Sequence, residues 1–296
     1  MVRRVSFALA FALSSAAVAA AAPAHDVAFW RAVARDHYTP PANTTAALLA
    51  DELVDMLASP DPEQRDDIAY STLASWIYQQ KLLDAAALRP IVGRLLANLT
   101  RGVGERDTNT IFARSFSALV LSVVIARDNV DPVLDAAAWR AIESAAFAYL
   151  SAEQDLRGYD AATGWMHSAA HTADLLKFLA RSRYVDAPGQ RRYLDAIAAK
   201  LTSASVVFTH GEDERFARAV LSLVARADFD AAQFDTWLQR TKPAVAEHPA
   251  AAQLRAAQNW KNLLAKLEVL LSNDPQPSDA AATARTALRA ALKPLF

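Results

Sequence analysis

The chain contains no cysteine. That excludes disulfide staples, thiolate metal sites, a cysteine nucleophile and a lipid-bearing N-terminal cysteine. A chain of this length buries enough surface to fold without staples, and oxidising compartments permit disulfides without requiring them. Glycine is also scarce, with seven in 296 residues against a usual share of roughly 7%. Six of them (Gly102, Gly104, Gly158, Gly164, Gly189 and Gly211) fall where helical patterns stop or start, and Gly93 lies inside one. Runs of Val, Ile or Thr alternating with polar residues are nearly missing, which excludes a sheet-based fold. Ser205–Thr209 is the one strand-like stretch. Neither sign of charge is in excess, with 31 basic against 32 acidic residues. This excludes nucleic acid as a partner, and with no Lys/Arg block it excludes an anionic membrane surface. A Gly-rich phosphate loop, H-E-x-x-H and G-x-S-x-G are all absent.

What is present begins with a leader. Arg3 and Arg4 precede an uncharged run from Val5 to Ala22, and the triplet Ala22-Pro23-Ala24 ends just before His25. A positive start, an apolar middle and a small-residue site are the three parts of a secretory signal peptide over 1–24. The expectation is a periplasmic or secreted protein with no stable membrane anchor, because no basic stop-transfer flank follows the run. Without Arg3 and Arg4 the formal charge moves from −1 to −3.

The remainder, 25–296, reads as a single all-α domain. Alanine, the best helix former, is abundant. Tyr70, Leu73 and Ile77, with Trp76 beside them, form an apolar stripe at helical spacing, as do Trp260, Leu263, Leu264, Leu267, Leu270 and Leu271. Ala118–Ala126 is apolar on every side, so its helix is expected to be central and buried. Start signals stand at Asn43/Thr44, Asp61-Pro62, Asp107, Asp135, Asp230 and Ser278. Pro90 is expected to break or restart a helix, and the Pro-rich segment 272–278 to set off the last one. About twelve helices with short connections imply antiparallel hairpins. These suit a HEAT-like solenoid or α/α array, with a closed α/α toroid as the alternative.

Four stretches place charge beside aromatic and glycine residues at helix ends. The longest is EQDLRGYDAATGWMHSAAHTADLL, beginning at Glu153. A helix is expected to start near Trp165 and to carry His167, His171 and Asp174 on one face. A His pair at i, i+4 is a common spacing for a divalent metal, with His167 and His171 as ligands. Asp174 lies roughly 10 Å along the axis from His167, so one ion does not take all three. Alternatively, Asp174 accepts from His171 and fixes its tautomer for acid/base work. Packing helices together is a third role for the pair. Gly104–Ser117 places Asp107 as an N-cap, Arg114 seven residues on, and Ser115 and Ser117 on a helix that turns wholly apolar. Arg114 reads as a buried ion-pair member or as an anion clamp. His210–Arg215 (HGEDER) and Arg65-Asp66-Asp67 read as helix capping and solvated charge.

At these stretches the chain resembles a bacterial family known only as domain of unknown function 2785. The likeness rests on RDDIAYSTLASWI (65–77), DTNTIFARSFSALVLS (107–122), the 153–176 stretch with its ordered G-W-x-H-x-x-A-H-x-x-D, and GEDERFA (211–217). It spans roughly Asp51 to Asp228. The resemblance implies a shared all-helical fold and carries no activity.

Two functional readings follow. In one, a helical array binds a small molecule or protein on a concave face. In the other, a hydrolase or lyase of α/α type uses His167, His171 and Asp174. Asp107, Arg114, Glu153, Asp155, Arg157, Glu212 and Arg215 supply the charged surroundings. The stretches 107–117, 153–174 and 211–215 are expected to meet in space, with Arg114 or Arg157 paired to an acid of another stretch. If they meet at an open pocket, a ligand or active site is favoured. If they are buried as separate pairs, it is not.

Overall fold

A computed structural model describes residues 25–295, so the expected leader over 1–24 lies outside the described residues. Twelve α-helices, two π-helical segments, a short 3-10 turn and one hairpin of two-residue strands make up the regular structure of these residues. The all-α expectation therefore holds. Side-chain caps start many of the helices. Thr45, Asp84, Asp135, Asp186, Asp230 and Ser278 each accept a backbone N–H of the first turn. Such caps satisfy donors that the helix itself leaves without partners.

Helices α1 (Val27–Arg35) and α2 (Ala46–Met56) pack on a rod running from Glu63 to Gln79. The rod is unusual. It is π-helical over Glu63–Tyr70 and Ser75–Gln79, with the short α3 (Ser71–Ala74) between. Runs of π-helix are rare and tend to occur at functional sites. Leu73, Trp76 and Ile77 are buried, as their spacing indicates.

The rest forms two rows. In one, α5 (Thr110–Val130) packs on α7 (Ser168–Leu179), α7 on α9 (Glu212–Val224), and α9 on α11 (Ala251–Ser272). In the other, α6 (Ala136–Ala152) packs on α8 (Ala187–Ser203), α8 on α10 (Ala231–Thr241), and α10 on α12 (Asp279–Leu292). Helix α4 (Ala85–Asn98) joins α2 to α5. One continuous apolar core runs through both rows from Trp30 to Leu292. Helix α5 is long and apolar enough to cross a membrane, but 89% of its most apolar window is buried inside the protein.

Several local expectations change. Helix α4 runs straight through Pro90. Ser205–Thr209 forms no strand, and the hairpin is instead Tyr159–Asp160 paired with Gly164–Trp165. Helix α7 begins at Ser168 rather than near Trp165, because His167 is left-handed (φ 50°, ψ 31°). Asp107 is not an N-cap: it too is left-handed, and α5 starts three residues later after Asn109. The Thr44 start signal falls one residue short of the true cap, Thr45.

Candidate functional site

The charged stretches converge, but at two different kinds of place. The first is a closed brace. Arg114, fully buried on α5, sends Nε to Glu153 Oε2 at 2.7 Å and donates to Arg101 O and Thr110 Oγ1. Glu153 also accepts the backbone N–H groups of Gln154 and Asp155. Asp155 in turn accepts the Asp107 N–H at 3.1 Å and the Arg157 guanidinium at 2.6 Å. Arg157 completes the link by donating to Thr108 O, while the exposed Asp107 carboxylate stands 3.7 Å from it. Lys200 of α8 donates to Glu153 O at 2.7 Å, and burial pulls its pKa down to about 8. Every charge here has a partner, and the brace pins α5, the end of α6 and α8 together.

The second place is open. A cavity of about 400 Å³ is lined by Asp66, Tyr70, Phe116, Leu119, Trp165, His167, His171, His210 and Arg215. Its histidines are held in defined tautomers by their hydrogen bonds. The Ser115 hydroxyl donates its only hydrogen to Met166 O. It therefore accepts from His171 Nδ1–H at 2.8 Å, which leaves His171 Nε2 as a bare acceptor. His167 donates Nε2–H to His210 O at 2.8 Å, so its Nδ1 is bare. The His167 ring stacks on Trp165 at 4.3 Å and meets the His171 ring edge-on at 5.7 Å. Burial, followed by the nearby His167 and Arg215 charges, pushes His171 well below the ordinary imidazole range. Burial also lowers His167. Both shifts favour the neutral ring.

Backbone and packing hold these rings in place. A Cβ at position 158 would lie 2.4 Å from the His210 ring, so only glycine allows His210 its seat. Glu212, buried at the start of α9, accepts the His210 N–H at 2.8 Å. Arg65, read from the sequence as solvated, is fully buried. Its guanidinium lies 4.1 Å from the Phe112 ring centre and 4.8 Å from that of Phe116. It binds Asp66 at 2.7 Å and donates to Thr163 O at 2.9 Å, which ties the hairpin to the π-helical rod.

A second cavity, also about 400 Å³, continues from the first. It is lined by apolar side chains of α3, α5 and α7, by Tyr70 and Tyr78, by Gln79 and Ser122, and by Asp174, Lys177 and Arg215. The two cavities share Tyr70, Leu119 and Arg215. Asp174 is buried, and its two oxygens take Lys177 at 2.7 Å and Arg215. The expected bond from His171 to Asp174 is thus replaced by one to Ser115. Asp174 is turned to the cations of its own face and of α9 instead.

Of the residues singled out in the sequence, His167, His171 and Arg215 line the first cavity, and Asp174 joins Arg215 at the second. Arg114, Glu153, Asp155, Arg157 and Glu212 brace the structure behind them, and Asp107 lies at the surface. His210, Tyr70 and Lys177 were missed as lining groups. Tyr70 sits at the edge of an apolar stripe and looks like core, His210 heads the HGEDER stretch that reads as capping, and Lys177 lies outside every motif. Among the described residues no three His, Asp or Glu side chains are grouped to hold a metal ion. The metal reading is left with His167 and His171 alone.

Residues 99–270, more than half of the chain, match the model of a family described as Protein of unknown function (DUF2785). The chain belongs to this family. The match begins later and ends later than the likeness seen in the motifs, taking in most of α11 and leaving out the π-helical rod. No curated protein and no solved structure matches the chain.

Proposed function

We propose that this family member is an exported protein that binds a small molecule in the groove between the π-helical rod, α5, α7 and α9. One observation carries the reading. His167 and His171 are held in fixed orientations around an open cavity by hydrogen bonds to His210 O and to the buried Ser115 hydroxyl, and the exposed Trp165 stacks on His167. Polar groups arranged this way around a concave apolar surface are the usual anatomy of a ligand site. Pre-organised groups also lose little freedom on binding. The site is kept against local preference. His167 holds a left-handed backbone that costs a non-glycine residue about 1–2 kcal/mol. A concave pocket suits a small molecule better than a protein surface. The row packing supports an open array over a closed ring, since the first and last helices find their main partners at opposite ends of the chain. The leader-like pattern over 1–24 supports export to the periplasm or beyond.

A second reading is a hydrolase or lyase in which the bare Nε2 of neutral His171 acts as general base. The neutral state and the Ser115-fixed tautomer favour it. Asp174 has no part in orienting that base.

The test is thermal unfolding of the purified protein against a chemically broad set of small molecules. A ligand at a hundred times its Kd stabilises by about 2.7 kcal/mol. The expected result is at least one compound that raises Tm in the parent and not in Trp165→Ala or His171→Gln. Shifts that survive both substitutions would place binding elsewhere and end the reading. N-terminal sequencing of exported protein should begin between Ala22 and His25, and a chain still starting at Met1 would refute export.

A further inference from the structure

The second cavity narrows the chemistry of the ligand, given that the groove is a binding site at all. Asp174 is the acid at the centre of this chamber, and it faces two cations. Each carboxylate oxygen is already taken, Oδ1 by Lys177 and Oδ2 by Arg215. Of the neighbouring acids, Asp66 pairs with Arg65 and Glu214 with Arg218, while Glu212, buried three residues before Arg215 on α9, accepts the His210 N–H. Lys177 and Arg215 therefore outnumber the one carboxylate they touch. An ammonium offers three donors and a guanidinium five, yet each cation makes one hydrogen bond to Asp174. Arg215 is half-exposed and Lys177 partly so, and both line the chamber.

The walls beside these two cations are mostly apolar. Leu119, Val123 and Ala126 line them with the Tyr78 and Phe178 rings, and Gln79 and Ser122 are the polar members. The Lys177 ammonium rests 4.4 Å from the centre of the Phe178 ring, which holds it at the chamber wall. Two cations sharing one carboxylate beside a mostly apolar wall match a negative head on an apolar body.

We propose that the groove takes a monocarboxylate with an apolar body, its carboxylate on Lys177 and Arg215 and its body along the Tyr78–Phe178 wall. A planar carboxylate accepts from the Arg215 fork in two places, as a lone halide cannot. Because Arg215 is shared by both cavities, the carboxylate sits at their junction, beside the histidine chamber.

The experiment is calorimetric titration of the full chain with octanoate and 3-phenylpropanoate, and with octan-1-ol and octylamine as uncharged and cationic counterparts. A carboxylate is expected to bind at least about tenfold tighter than either counterpart. Lys177→Met should lower carboxylate affinity by about the same factor and leave the alcohol unchanged. If acid, alcohol and amine bind alike, the inference falls and the groove remains a ligand site. The same holds if none of the four binds while other compounds still give Trp165-dependent shifts. If no compound in either set binds, the site reading itself fails. Should Lys177→Met not fold, the ranking of the four ligands on the parent protein decides alone.

Discussion

Arg114 and Arg215 each reach a carboxylate on a distant stretch of chain, yet their surroundings differ. The Arg114 and Glu153 side chains are 0% and 3% exposed, and each of their nitrogens and carboxylate oxygens is bonded to protein. The Arg215 side chain is 43% exposed, shares Asp174 with Lys177, and lines two cavities. A charge pair sealed from water with full hydrogen bonding acts as a structural tie. A pair with an extra cation and open space is available to something else. Sequence spacing alone treats the two arginines alike, and burial separates them.

Arg114→Ala should have the largest effect. It strands the buried Glu153 carboxylate, a loss of on the order of 3–5 kcal/mol, read as a drop in Tm or in the denaturant midpoint. A variant melting like the parent would mean that the brace is not sealed. Gly158→Ala should come next. Its Cβ would collide with the His210 ring, and such overpacking costs about 1–3 kcal/mol. This change lies on the open side, so it should also abolish ligand binding, whereas Arg114→Ala should not when measured well below its Tm.

The two regions also titrate in opposite pH ranges. Folded His171 sits well below the unfolded value of 6.5, so below pH 6.5 the unfolded chain takes a proton that the folded chain refuses. Stability is therefore full above 6.5 and is lost as pH falls, with a slope approaching about 1.4 kcal/mol per pH unit per group. His171→Gln should flatten that acid limb. At the brace, folded Lys200 titrates at about 8 against 10.5 when unfolded. There the unfolded state binds more protons between those values, so stability rises from pH 8 to 10.5. Lys200→Met should remove that rise and leave the acid limb unchanged. Denaturant midpoints across pH check both. The smallest expected effect is that of Arg215→Met on stability, within about 1 kcal/mol, because Asp174 keeps Lys177 and the lost pair is half in water. A larger loss would make Arg215 a structural tie like Arg114.

Much of the frame was legible in the residues. Scarce glycine, abundant alanine, aspartate and serine caps and the wholly apolar 118–126 stretch all report local preferences, and local preference decides whether a segment is helical. The meeting of the 107, 153 and 211 stretches was legible too, because buried charges of opposite sign must find one another. What was misread depended on backbone irregularity. The left-handed His167 and Asp107 shift helix starts by several residues. The π-helical rod sets Asp66 and Tyr70 at the groove, where a regular pattern reads Tyr70 as core.

Residue by residue, then, the chain determined that it would be helical, where several of its helices begin, and which helix lies at the centre, since these depend on propensity, capping and period. Only the tertiary structure decided who pairs with whom. His171 faces Ser115 and not Asp174, Asp174 faces Lys177 and Arg215, and Arg65 is buried between Phe112 and Phe116 rather than solvated. The reason is that a hydrogen bond or ion pair acts over about 3 Å. Its partner is set by how whole helices lie against one another, across separations of 41 residues for Asp174 and Arg215 and 56 for Ser115 and His171.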